Sequence, residues 1–174
     1  RTPMPVAATT YREQASYVRK ATYLGVVRAG SDSVLGFEVA GVLTSLTAKE
    51  GMRVSAGDAL AQLGIDRRQT RLDAAAAAYD RVVAERAQAE ARANRIASLV
   101  EDGSASQQDY DDARFAVQAL TAAENTAAAQ RQSAQLELEK STLLAPYEAV
   151  VAERLVQTGA VVAPGTPVMR LVTA

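Results

Sequence analysis

The sequence predicts an α+β chain: a small β-domain in two halves, interrupted by a long antiparallel α-helical hairpin. Three observations carry this. A ten-residue pattern occurs twice, as Gly51-Met52-Arg53-Val54-Ser55-Ala56-Gly57-Asp58-Ala59-Leu60 and as Gly159-Ala160-Val161-Val162-Ala163-Pro164-Gly165-Thr166-Pro167-Val168. Both copies read G-x-x-V-x-x-G-x-x-[L/V], and each places a leucine three residues on, at Leu63 and Leu171. Between them lies an alanine-rich stretch of helix formers, and Gly103 and Ser106 cut that stretch into two nearly equal lengths.

Taken in order, residues 1–10 read as an extended lead. From Ser16 to Val27 the β-favouring Tyr17, Val18, Thr22, Tyr23, Val26 and Val27 predict a strand. Residues 28–33 form a turn cluster rich in Gly and Ser. Residues 34–64 read as short strands punctuated by Gly41, Gly51 and Gly57, with Val54, Leu60 and Leu63 facing a small core. Gly51, Gly57, Gly159 and Gly165 are expected as structural turn glycines, because tight turns between short strands need positive φ.

The pattern changes at Ile65. Asp66 with Gln69 three residues later reads as an N-cap and capping box. A first helix is expected over 66–102, with Gly103 just past its end. Ser106 offers a second N-cap, and a second helix is expected over 106–142, where Pro146 prevents further extension. Each helix would be ~50 Å long at 1.5 Å per residue. On the first, Leu72, Ala75, Tyr79, Val82, Ala89, Ala93, Ile96 and Val100 follow a heptad stripe broken by Arg86. On the second, Phe115, Ala122, Ala129, Leu136 and Leu143 share a seven-residue spacing and are assigned to the facing stripe. So alanine-rich a seam buries little area, and a slender hairpin that gains from neighbouring copies follows. Residues 143–174 return to strand character and align with the first half at a constant offset of 108, as Gly51 with Gly159.

Composition excludes several function classes. The net charge is −1 with no long run of like charge, which disfavours nucleic acid. Neither Cys nor His is present, removing thiol chemistry, His-based acid–base catalysis and most zinc or copper sites. No nucleophile–base set or phosphate loop appears, so no enzyme, cofactor or metal is expected. No apolar run approaches the ~18 residues of a membrane span, and residues 1–5 carry no apolar signal-like core.

The two glycine–valine copies resemble the halves of a lipoyl-like (biotinyl-like) β-sandwich, a barrel-sandwich hybrid. In lipoyl and biotin carriers a tight hairpin joins the halves and bears the modified lysine. Here the helical insert fills that place, and none of Lys20, Lys49 and Lys140 is expected at such a turn. A lipoyl domain split by an α-hairpin resembles the periplasmic adaptors of bacterial efflux pumps, the membrane fusion or HlyD-like proteins. Leu35-Gly36-Phe37-Glu38-Val39-Ala40-Gly41 looks like the entry to the first half, Ala59-Leu60-Ala61-Gln62-Leu63 like its exit, and Leu144-Ala145-Pro146-Tyr147 like the return from the second helix. Where that family often has glycine, this chain has Ala149, which would be strained if the position required positive φ.

The resemblance implies three parts: 1–34, a lead and a partial β-barrel strand; 35–65 with 143–174, the split lipoyl-like domain; and 66–142, the hairpin. It also implies a periplasmic, non-catalytic adaptor between an inner-membrane transporter, of resistance-nodulation-division (RND) type, and a TolC-like outer-membrane channel. Such a protein is expected to assemble as a hexamer at the inner membrane of a Gram-negative bacterium. ABC-type exporters and type I secretion systems are the variant partners, and a lipoyl or biotinyl carrier is the more distant alternative. Adaptors that meet a TolC-like channel carry an Arg, a Leu four later and a Ser seven after that at the hairpin tip. Arg95, Leu99 and Ser106 match. Read without the family, Arg95 is a solvated helix arginine, Leu99 packs against Tyr110, and Ser106 caps its helix. The end at Leu171-Val172-Thr173-Ala174, where the second half should close, implies a piece of a longer adaptor.

Overall fold

The computed structural model describes residues 2–12, 19–23 and 32–173. Most of the strand expected over 16–27 lies outside these; residues 19–23 carry no regular secondary structure. Four strands precede the hairpin: β1 (Asp32–Gly36), β2 (Gly41–Leu46), β3 (Arg53–Val54) and β4 (Ala59–Leu63). The helices are α1 (Asp66–Glu101) and α2 (Gln107–Glu139). Then follow β5 (Thr142–Leu144), β6 (Ala149–Arg154), β7 (Val161–Val162) and β8 (Pro167–Val172). Both β-halves therefore begin earlier than expected. Asp32 and Ser33, assigned to a turn, pair with Val172 and Leu171. The second helix stops at Glu139 rather than 142, because Thr142–Leu144 pair with β4.

Two four-stranded sheets result, β1-β8-β6-β3 and β5-β4-β2-β7, and all their pairings are antiparallel. Adding 108 to the residue numbers of one half carries β1, β2, β3 and β4 onto β5, β6, β7 and β8. The same operation exchanges the two sheets, so the repeat is a pseudo-two-fold of the fold. Hydrogen bonds obey it. Gly57 N–H donates to Ala145 O (2.8 Å), and Gly165 N–H donates to Phe37 O (2.9 Å). Leu43 N–H donates to Ala160 O and Val151 N–H to Met52 O, both at 2.9 Å. All four turn glycines have positive φ, between 77 and 92°. No other residue type among those described does, so Ala149 is unstrained. Gly41, its counterpart, serves instead to leave room, since a Cβ there would sit 3.2 Å from Leu63 Cδ1.

The core lies between the sheets, around Phe37, Leu43, Leu63, Val151, Met169 and Leu171, each at most 2% exposed. The hairpin root is tied to it at several points. Ser141 is fully buried, and its carbonyl accepts from Leu63 N–H at 2.8 Å. Arg68 on α1 donates to Gly64 O (3.2 Å) and Ala40 O (2.5 Å), while Lys140 at the end of α2 pairs with Glu38. The N-terminus of α1 differs from expectation. Asp66 is its first helical residue, Ile65 takes the cap position, and no side chain caps it. The Ile65 carbonyl accepts from Gln69 N–H instead (2.8 Å), and the Gln69 amide turns to Asp73.

Candidate functional site

The hairpin is a rod of 36 and 33 residues per arm, ~50 Å long at the helical rise. On α1 the expected seam holds, with Val82 and Ala93 buried. On α2 the period of seven is right but the phase is wrong. The buried residues are Ala113, Ala127 and Ala134. Phe115 and Leu136 are 57% and 46% exposed, Ala122 and Ala129 are also exposed, and Leu143 belongs to the β-core. The larger residues were assigned to the seam on hydrophobicity, but close helix approach favours the small ones, and bulk is left facing outward.

Arg86 interrupts that seam without being orphaned. It forms ion pairs with Glu90 on its own helix and with Glu124 on α2. Glu124 raises its pKa further, mainly by side-chain hydrogen bonding and charge. Arg131 stacks 4.4 Å over the Tyr79 ring, one layer nearer the root. Glu124 was not foreseen as the partner, although it is the residue out of keeping with an alanine seam.

At the distal end both helix termini are satisfied locally. Gly103, at φ 72°, donates to Val100 O (3.0 Å), and Ser104 N–H donates to Leu99 O (2.7 Å). These two bonds are the Schellman motif, and they need the left-handed residue that glycine supplies. Ser106 then opens α2 in extended conformation. Its Oγ accepts from Asp109 N–H (3.2 Å), while the Asp109 carboxylate accepts from both Ser106 N–H (3.1 Å) and Ser106 Oγ–H (2.6 Å). Those last two bonds hold the Asp109 carboxyl below its ordinary value of 3.8, the side-chain bond contributing most.

The expected contact residues all lie at this end. Arg95 and Leu99 stand one turn apart on α1, Ser106 starts α2 across the turn, and all three are exposed, Leu99 by 46%. Ser106 is thus a helix cap, whatever else it touches. Below the turn the arms enclose a furrow of about 730 Å³. Its apolar lining comes from residues such as Ala89, Ile96, Ala113 and Leu120, with Glu85, Arg92 and Arg95 on the α1 side and Asp109 and Asp112 on the α2 side. No group of side chains among the described residues could hold a metal ion, and none of the described helices is long and apolar enough to cross a membrane.

No protein-family model matches the chain. Over 161 residues it is 29% identical to the multidrug resistance protein MdtA of Photorhabdus laumondii subsp. laumondii, covering 92% of this chain. It spans 40% of that relative's length. The membrane fusion protein Spr0693 of Streptococcus pneumoniae superposes with a TM-score of 0.66 at 21% identity, over 84% of this chain and 61% of its own. The chain has the fold of the membrane fusion proteins. MacA of Actinobacillus actinomycetemcomitans has the same fold, with a TM-score of 0.66 at 20% identity, over 85% of this chain and 52% of its own. In this chain the features of the membrane fusion fold are the split β-domain, its internal two-fold and the helical rod.

Proposed function

We propose that the chain is the lipoyl and hairpin part of a non-catalytic periplasmic adaptor for small-molecule export. It links an inner-membrane transporter of RND type to a TolC-like outer-membrane channel, and it works as a ring of copies, six in the assembled pump. The observation that carries the reading is the rod. Its root is tied into a β-domain, and its far end exposes Arg95, Leu99 and Ser106 together. Two adjacent helix faces there offer a forked donor, an apolar knob and a small polar group, which suit a groove between helices of a channel. The similarity to a multidrug resistance protein supports export over other roles.

A carrier role is not favoured by the lysines. Lys140 is paired with Glu38 at the hairpin root. Lys49 does open a β-turn, contrary to expectation, since Met52 N–H donates to its carbonyl at 3.0 Å. That turn joins β2 to β3, whereas a carrier lysine belongs to the β4–β5 connection, which the helices occupy.

The test is capture of a TolC-like channel by the full-length protein, beside a variant with Arg95→Asp, Leu99→Ala and Ser106→Ala, with circular dichroism to verify helicity. Capture by the parent and loss by a folded variant is expected. Equal capture would move the contact elsewhere, and no capture by the parent would remove the channel from the proposal.

A further inference from the structure

A second cavity, of about 380 Å³, lies at the root of the hairpin, where α1 leaves the β-domain. Arg67, Arg68 and Arg71 line it, and Glu137 is the one carboxylate among its lining residues. At about 100° per residue the three arginines share one face of α1, while Asp66 and Asp73 fall on the opposite face. Glu137 is already matched by Arg71 at 2.7 Å. Arg68 is half-buried, and its guanidinium is held by two neutral acceptors, the carbonyls of Gly64 (3.2 Å) and Ala40 (2.5 Å). Among the described residues neither Arg67 nor Arg68 has an ion pair. Three guanidinium charges against one carboxylate leave the wall with two positive charges unmatched. Two glycines complete the wall, Gly41 and Gly64, and neither has positive φ. A Cβ at Gly41 would come within 3.6 Å of Arg68 Nη1. A Cβ at Gly64 would meet nothing nearer than Thr44 Cγ2 at 3.5 Å, an ordinary contact, so the fold itself does not require glycine there. What glycine leaves at both places is bare backbone beside the guanidinium groups.

We infer that this cavity is a binding site for a phosphate group, as the free ion or as a phosphate monoester. Two unmatched guanidinium charges fit a dianion better than a single carboxylate. The planar forks of Arg67 and Arg68 supply paired N–H donors for phosphate oxygens, and the two carbonyls hold Arg68 in place before anything binds. Arg71 keeps Glu137 occupied, so that carboxylate does not repel the ligand. A half-buried guanidinium held only by neutral carbonyls gains a counter-charge when the anion arrives. The bound group also joins α1 to residues 40–42 of the β-domain, the contact that Arg68 already makes alone. Occupancy therefore stiffens the root from which the rod projects. The inference goes beyond the adaptor reading and does not depend on it, because no partner protein takes part.

The experiment is isothermal titration of the full-length protein with inorganic phosphate and, separately, with glycerol 3-phosphate. It is run at about pH 7.5, where a phosphate monoester with its second pKa near 6 is a dianion, and chloride holds the ionic strength constant. Thermal melting by circular dichroism and sedimentation of the protein accompany it. The variants are Arg67→Gln, whose side chain is exposed and bears no ion pair, and, as a control, Arg114→Gln, which does not line the cavity. We expect one phosphate group per chain and a higher melting temperature in phosphate than in chloride of equal ionic strength. Arg67→Gln should weaken binding about tenfold or more while melting like the parent in chloride, and Arg114→Gln should bind like the parent. Tighter binding of glycerol 3-phosphate supports the site with a monoester as its ligand, and tighter binding of inorganic phosphate supports it with the free ion. Absence of binding by both, or equal affinity in the parent and in Arg67→Gln, overturns the inference. Self-association of the parent that Arg67→Gln abolishes, with no phosphate bound, gives the cavity to a carboxylate of a second copy and also overturns it. Channel capture is read at the other end of the rod, so either experiment can fail without the other.

Discussion

The turn glycines allow backbone strain to be separated from crowding. A Cβ added at Gly51, Gly57, Gly159 or Gly165 would meet nothing within 4 Å. Alanine there costs only the left-handed backbone, ~1–2 kcal/mol. Against this stands a gain of ~0.4–1 kcal/mol from a less flexible unfolded chain. The net expectation is ~1 kcal/mol of destabilisation per site, alike within each symmetry pair because φ is 89° at Gly57 and 77° at Gly165. Gly57→Asn should recover part of the loss, since asparagine tolerates positive φ. Gly36 is the contrast. Its φ is ordinary, but a Cβ would fall 2.4 Å from Thr166 O, so Gly36→Ala should cost more than any turn glycine. Urea unfolding, with amide exchange read at Leu60 in β4 and Val168 in β8, measures all of them. A neutral Gly57→Ala, or a cost at Gly57 exceeding that at Gly36, would refute the reasoning.

Three further outcomes are expected. Leu63→Ala and Leu171→Ala, both fully buried and equivalent by the pseudo-two-fold, should each cost ~3–4 kcal/mol in the same urea experiment. Glu124→Ala should lower the helical melting temperature by leaving Arg86 with Glu90 alone, and Arg86→Leu combined with Glu124→Leu should restore it. Because the folded-state pKa of Asp109 is depressed, the capping box stabilises the tip fully above the ordinary 3.8 and loses that contribution as pH falls through the lower folded value. Faster exchange of the α2 first-turn amides below that point, absent in Asp109→Asn, would be the signature.

How far the fold could be read from the chain depended on how local its causes are. Gly103 and Ser106 announce the tip turn because the Schellman motif and capping box need particular residues at fixed offsets. The β-repeat was visible because a positive φ admits few residues, so its glycines mark the register of both halves. Asp66 misled because a good capping residue caps only where the chain turns beside it, and here Arg68 and the Ala40 carbonyl direct the entry. The α2 seam misled for a related reason. A period of seven gives the spacing of a stripe, but which stripe faces the partner is decided by how closely the helices approach. The furrow could not be read, because it lies between residues far apart in sequence, and only the hairpin register brings Arg92 and Asp112 to one space.

Each sheet takes two strands from before the hairpin and two from after it, so neither half can complete a sheet by itself. That interleaving gives the helices a part in how the protein is made. Closing a flexible loop of roughly eighty residues between β4 and β5 would cost on the order of 4 kcal/mol in chain entropy. Helix contacts are local in sequence and form early. Once the arms have zipped, Leu63 and Thr142 emerge side by side, and the search for the right strand partner has shrunk to a few residues. The same rod that reaches outward in the finished protein is, during folding, the template on which its base assembles.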